Sequence, residues 1–138
     1  MKVLTIGTFD LLHRGHLNLF HACYKIAGQG GQVYVGVNTD EFVEKYKGLR
    51  PVQSHIDRWL VVSALRVVHA ACDNRDNGVT LIRRIQPDVL VVGSDWAKKD
   101  YYAQIGITAE ELEEQGTLLV YVPYTPGISS TSIKERLK

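Results

Sequence analysis

His13 and His16 stand three residues apart in "GTFDLLHRGH", residues 7–16, directly behind the apolar run "VLTI". If a strand hands over to a helix here, both imidazoles lie one turn apart and point the same way. Gly7 lets the backbone turn tightly and approach a ligand. The N–H groups of Thr8 and Phe9 can then face an anion. Gly15 removes a side chain where a phosphate would press, and the helix start adds partial positive charge. Two imidazoles, free amides and a helix dipole form an oxyanion receptor with no covalent nucleophile. Such a receptor suits in-line displacement at phosphorus, where positioning and charge stabilisation do most of the catalysis. A plainer reading has Asp10 capping the helix and the histidines paired by chance. The complete string at the end of the first strand favours the phosphate site. Neither GxGxxG nor GxxxxGK[ST] follows a strand, which excludes a dinucleotide fingerprint and a P-loop.

The elements that must position these residues follow from periodicity. "KVLTIGT" (2–8), "QVYVGVN" (32–38), "DVLVVGS" (88–94) and "TLLVYVP" (117–123) read as buried strands, and "HAAC" (69–72) as a short one. Helical spacing marks 16–27, a short stretch after a Thr39 or Asp40 cap, 55–68 behind Ser54, 77–86, and 108–116 behind Thr108. Along 55–68 the expected inward face is Ile56, Leu60, Ser63 and Val67. Ser130 or Thr131 opens a last helix; the hydroxyls of Ser129, Ser130 and Thr131 with the free amides there make a second anion receptor. Strands apolar on both faces, alternating with helices, predict a Rossmann-like, doubly wound, five-stranded parallel sheet with helices on both faces. Ligands then sit at the carboxyl ends of the strands, near the switch in strand order. Asp95 and Trp96 follow such an end, a place to hold a ribose or base. Arg58 and Arg66, eight apart on one predicted helix, face alike and could reach phosphate. The stretch 97–108 sits beside the expected pocket, as an acceptor-shaping segment or a surface loop.

The composition bounds the rest. The 138 residues carry 45% hydrophobic and 22% charged side chains, which predicts one soluble domain, 1–138, with its own core. A net charge of +1 and the lack of a basic stripe argue against nucleic acid or a membrane as partner. The two cysteines, Cys23 and Cys72, form no CxxC pair and read as buried free thiols. With a strand starting at Met1 or Lys2 and no apolar run of membrane-crossing length, the expectation is a cytoplasmic protein without a signal peptide.

"GTFDLLHRGH" resembles the HxGH signature of the nucleotidyltransferase superfamily, and "GISSTSIKERL" (127–137) resembles its second signature, ISSTxIR, with Lys134 in place of the arginine. Within the superfamily the chain is most similar to the glycerol-3-phosphate cytidylyltransferases, through "TDEF" (39–42), "GSDW" (93–96) and "TPGISSTSIK" (125–134). That resemblance implies CTP or a related NTP, Mg²⁺ bound with the nucleotide and no dedicated protein metal site, a phosphorylated acceptor and a homodimer. His13 and His16 would stabilise the transition-state oxygens, aided by a lysine of "EKYKGLR", Lys47 first and Lys45 second. Gly7, Thr8, Phe9, Asp10, Gly15, Arg66, Asp95, Trp96, Ile128, Ser129, Ser130 and Thr131 would bind the nucleotide, and Arg58 the acceptor. Two stretches depart from this pattern. Tyr124 stands where an arginine is usual, and "KGLRPVQSHIDRWLVVSAL" (47–65) looks more like ATP-using heptose-phosphate adenylyltransferases and archaeal FAD synthetases. Adenine therefore stays open beside cytosine.

Overall fold

The computed structural model describes residues 1–94 and 100–138. Strands β1 (Lys2–Gly7), β2 (Gln32–Asn38), β3 (Ala70–Asn74), β4 (Val89–Gly93) and β5 (Leu118–Val122) form one parallel sheet in the order β3-β2-β1-β4-β5. The helices are α1 (Arg14–Ala27), α2 (Asp40–Lys47), α3 (His55–Ser63), α4 (Val79–Ile85), α5 (Tyr101–Ile105), α6 (Ala109–Gln115) and α7 (Ser130–Arg136). The expected doubly wound sheet is present.

Period-2 alternation along the strands makes two cores. Val3, Val33, Val35, Val37, Val89 and Val91 pack with Phe20, Cys23 and Val62 on the α1/α3 face. Leu4, Leu90 and Val92 pack with Leu81, Ile82, Ile105 and Leu112 on the face of α4, α5 and α6. Gly36 of β2 lets α4 come close, since a Cβ there would lie 2.7 Å from the Leu81 Cδ1 atom.

The strand order reverses at β1, which opens a crevice at the carboxyl ends of β1 and β4. β1 pairs with β2 from Lys2↔Gln32 to Gly7↔Val37, whereas its register with β4 is Val3↔Val89 and Leu4↔Leu90. Beyond Leu4 a cavity lies between the two strands, lined by Thr5, Ile6, Val92 and Gly93.

Three expectations are corrected. α3 ends at Ser63, five residues short, and the chain turns through 3-residue backbone bonds (Leu65 N–H to Val62 O, Val68 N–H to Leu65 O) before His69 joins the sheet through Val33 O. No Gly or Pro marks that stop. α3 is also rotated from its expected face: Arg58 and Val62 point inward, while Ile56 and Leu60 are exposed. Third, the stretch 97–108 contains α5, whose Tyr101 and Ile105 are buried.

Candidate active site

The link from β1 to α1 carries backbone strain. Phe9 and Leu11 have φ of 55° and 51°, a region that costs a non-glycine residue about 1–3 kcal/mol. Phe9 folds its ring back over Gly7, where a Cβ would lie 2.8 Å from the ring. Gly7 itself has no left-handed φ, so its use is room for that ring rather than a turn. Phe9 is buried, edge-on to His16 at 5.5 Å and tilted by 57° against Phe20 at 5.0 Å.

His13 caps α1. Its Nδ1 accepts the Gly15 N–H at 3.0 Å, and the His16 Nδ1 accepts the His13 N–H at 3.1 Å. The histidines thus form a reciprocal capping box, a motif whose usual members are Ser or Thr with Glu or Gln. The rings lie 3.9 Å apart with 30° between their planes. An Nδ1 that accepts a backbone N–H puts the proton of the neutral ring on Nε2. Among the described residues, both Nε2–H groups are then donors without a partner. Burial, then the neighbouring His13, push the His16 pKa down to about 4, against a small opposing pull from Asp10. Burial, then Arg14, lower that of His13. Both rings are neutral at pH 7. Gly15 is needed for this pair, because a Cβ there would meet the His13 ring at 2.8 Å.

Asp10 does not cap α1. Its buried carboxylate accepts the N–H groups of Val52 (2.7 Å) and Gln53 (2.9 Å) and lies 3.5 Å from the Lys134 ammonium. Its carbonyl accepts the Ser130 hydroxyl. Asp10 therefore clamps the β1–α1 link to the 51–53 loop and to α7. Asn18 Nδ2 donates to Thr125 Oγ1 at 3.0 Å, a further tie between α1 and the segment before α7. The first and last helix starts converge, as the motif pair requires. Ser129 caps α7 with Ser132 in a second reciprocal box.

Two cavities meet at these residues. The larger, about 530 Å³, is lined by Gly7 to Asp10, Lys47, Ser130, Thr131 and Lys134, and extends toward the ends of β2 and β3. The smaller, about 370 Å³, holds His13, Gly15, Ile128, Ser129 and Tyr124, and runs between β1 and β4. His16, Lys47 and Ser130 line both. Burial, then Lys134, lower the Lys47 pKa, with Asp10 opposing. His16 of α1, Lys47 at the end of α2 and Ser130 at the start of α7 thus border the junction of the two cavities, with an open space on each side.

Other expected residues fall elsewhere. Lys45 lines a separate groove with Glu41 and Asp76, because two positions along α2 turn it away from Lys47. Arg66 is exposed in the turn after α3, so it shares no helix face with Arg58. Arg58 is 1% exposed and wholly committed to the protein. It donates to Gln53 O (3.0 Å), Thr8 O (2.7 Å), Asn38 O (2.7 Å) and the Asp40 carboxylate (2.7 Å). It supports the cavity floor instead of touching an acceptor. Asp95 and Trp96 lie outside the described residues. Sequence reasoning missed Asn38, Asn74, Asn77 and Gln104, all of which line the larger cavity. The signal was present in polar residues at the carboxyl ends of β2 and β3, but the strand expected at 69–72 stops short of Asn74. Among the described residues no group of three or more His, Cys, Asp or Glu is placed to hold a metal.

A family model described as cytidylyltransferase-like matches residues 4–136. The chain is 35% identical over 133 residues to the bifunctional protein HldE of Gluconobacter oxydans, covering 95% of this chain and 26% of that protein. It thus spans about a quarter of the length of the HldE relatives. It is 30% identical to the FAD synthase of Korarchaeum cryptofilum, covering 99% of this chain and 90% of the synthase. A solved lipopolysaccharide core biosynthesis protein of Thermoplasma volcanium shares the fold, with a TM-score of 0.70 at 23% identity over 91% of this chain and 96% of the other. The model match over residues 4–136, with the two signature stretches lining adjoining cavities, places the chain in the cytidylyltransferase-like family, within the nucleotidyltransferase superfamily.

Proposed function

We propose that the protein transfers a nucleotidyl group from an NTP, ATP before CTP, to a phosphorylated acceptor. The observation that carries this reading is the pair of free Nε2–H donors beside Lys47, at the junction of two cavities. A transfer between two substrates needs a space for each and a charge-stabilising point between them. An acceptor phosphate oxygen attacks the α-phosphorus, the bond to the bridging oxygen breaks, and pyrophosphate leaves with that electron pair. His13, His16 and Lys47 hold the oxygens whose charge grows in the transition state. The hydroxyls of Ser129 and Thr131 and the amides of Ser130 and Thr131 hold the outer phosphates.

Adenine is favoured over the cytosine of the first resemblance by two features. "KGLRPV" (47–52) is of the adenylyltransferase type, and a relative of nearly the same length is an FAD synthase, whose product carries an adenylyl group on the FMN phosphate. CTP is the second reading, on "GSDW" (93–96). Mg²⁺ would come with the triphosphate, neutralising its charge. The side chains at the site are donors rather than metal ligands, so they suit the phosphates and leave the ion to phosphate and water oxygens.

Homodimerisation belongs to the same proposal, supported by Ile56, Leu60 and Val61 exposed together on α3. Sedimentation should give a dimer, and Leu60→Lys a monomer. For the activity, pyrophosphate release is followed with each NTP and a panel of acceptor phosphates, with thermal shifts against ATP and CTP alongside. ATP should give the larger shift and the turnover. Folded protein that releases no pyrophosphate with any pair would overturn the reading.

A further inference from the structure

The His16 ring is held by one hydrogen bond, its Nδ1 accepting the His13 N–H at 3.1 Å. A single bond at Nδ1 leaves the ring free to swing about it, and the outer torsion of a histidine has no sharp preference of its own. Packing must therefore choose the direction in which Nε2–H points. Two rings do so. That of His13 lies against His16 at 3.9 Å with 30° between planes, and that of Phe9 stands across it at 5.5 Å with 80°.

Phe9 reaches this place through an uncommon backbone. Its φ of 55° lies in the left-handed region, which bulky side chains rarely adopt, and Leu11 shares that region at 51°. Neighbouring segments hold the link in this form. Gln53 Oε1 accepts the Leu11 N–H at 2.9 Å, and the Asp10 carboxylate accepts the N–H groups of Val52 and Gln53. A return to negative φ would redirect the Phe9 Cβ and take the ring off α1. As folded, the ring is 5% exposed and crosses both His16 and Phe20, which are four residues apart on one face of α1. Gly7 leaves room for it, since a Cβ there would lie 2.8 Å from the Phe9 Cζ atom. Filling the core does not require such strain, because Phe20 enters the same core from regular helix. Strain of this kind persists where the surroundings over-determine it, and it gathers at functional sites.

We propose that Phe9 is a positioning residue for His16: its ring, held by the strained β1–α1 link, fixes the direction in which the imidazole Nε2–H faces the reacting phosphate. This rests on the nucleotidyl-transfer reading for the reaction and adds the group that aims one of its donors. The same ring helps to dry the imidazole. Burial is the largest cause of the lowered His16 pKa, and Phe9 is part of that cover. The titratable groups that face His16 are His13 on its own helix, Asp10 in the link, and Lys47 and Lys134 across the larger cavity. All of them remain in a Phe9 variant, so a changed titration there reports the ring.

The experiment compares wild type with Phe9→Leu, Phe9→Ala and Ile82→Ala. Leucine keeps an apolar cover without the flat wall, and alanine removes both. Ile82→Ala takes a buried side chain from the opposite core, away from the site. Urea unfolding gives stability, NMR follows the His16 titration in the free protein, and pyrophosphate release with ATP and the acceptor panel gives kcat and KM. Both Phe9 variants should lower kcat by about 10-fold or more with the nucleotide KM little changed. Phe9→Ala should also raise the His16 pKa from about 4 toward 6.5, and Phe9→Leu should raise it less. Ile82→Ala should lose stability and keep both readouts. Two Phe9 variants keep the test open if alanine fails to fold. Wild-type kcat in Phe9→Leu, an unmoved His16 titration in folded Phe9→Ala, or an equal kcat loss in Ile82→Ala would overturn this proposal and leave nucleotidyl transfer standing. Wild-type protein that releases no pyrophosphate with any pair would remove both.

Discussion

His13 and His16 act as uncharged donors in the free protein. Burial has already removed the advantage of the imidazolium form, and both Nδ1 atoms are occupied by backbone N–H groups. A neutral ring set close to its partner costs no proton uptake when a triphosphate arrives. Its Nε2–H bond strengthens as anionic charge develops on the oxygen it faces, which favours the transition state over the ground state. The pH profile of kcat/KM should therefore stay level from neutrality down and fall only as pH approaches about 4, the pKa of His16. A profile that instead rises as pH falls from 7 to 6 would mean that a charged imidazole is required. The same shift sets a stability window. The unfolded chain takes up its His16 proton near the ordinary pKa of 6.5 and the folded chain only near 4, so stability is lost as pH falls between these values. On the basic side, Lys47 titrates below the ordinary lysine value, so activity should decline at lower pH than a solvated lysine would give. His16→Ala removes one oxyanion donor and should lower kcat by about 10²–10³-fold with the nucleotide KM little changed. Near-wild-type turnover would withdraw that role.

At the scale of elements, the site depends on two devices at helix starts. The first is the imidazole capping box of α1, which fixes two functional rings by the same bonds that satisfy the helix amides. Gly15→Ala keeps the helix propensity high yet puts a methyl group against the His13 ring. It should lower kcat by about 10-fold or more while thermal unfolding shifts little, measured side by side. The second device is Arg58, which joins α3 to the ends of β1 and β2 and to the start of α2. Arg58→Met leaves Asp40 and three carbonyls without their donor, and breaking a buried pair costs about 3–5 kcal/mol. Chemical denaturation should show a loss of that size. A loss below about 1 kcal/mol would mean that the network is dispensable.

For the whole molecule, the contrast lies between a sheet held by two apolar cores and an α7 that buries none of its residues. The ties of α7 to the rest are polar and pass through Asp10, which accepts from Ser130 and pairs with Lys134 while holding the 51–53 loop. Asp10→Ala should release both segments together. Amide hydrogen exchange would show faster exchange at Val52, Gln53 and α7, with the core strands unchanged. Much of this design is legible in the sequence. Strand alternation, caps such as Thr39, Ser54 and Thr108, and the spacing of His13 and His16 depend on local periodicity and local hydrogen bonds, which a short stretch encodes by itself. The polar ends of β2 and β3 and the inward turn of Arg58 are not local. Asn74 becomes a cavity residue only because β3 pairs with β2, and Arg58 is buried only because three elements offer it carbonyls and a carboxylate. The sequence alone determined the sheet and the two signatures. Tertiary structure alone decided which lysine lines the two cavities, which arginine is buried and where the open spaces lie, because each depends on chain segments that meet only after the sheet assembles.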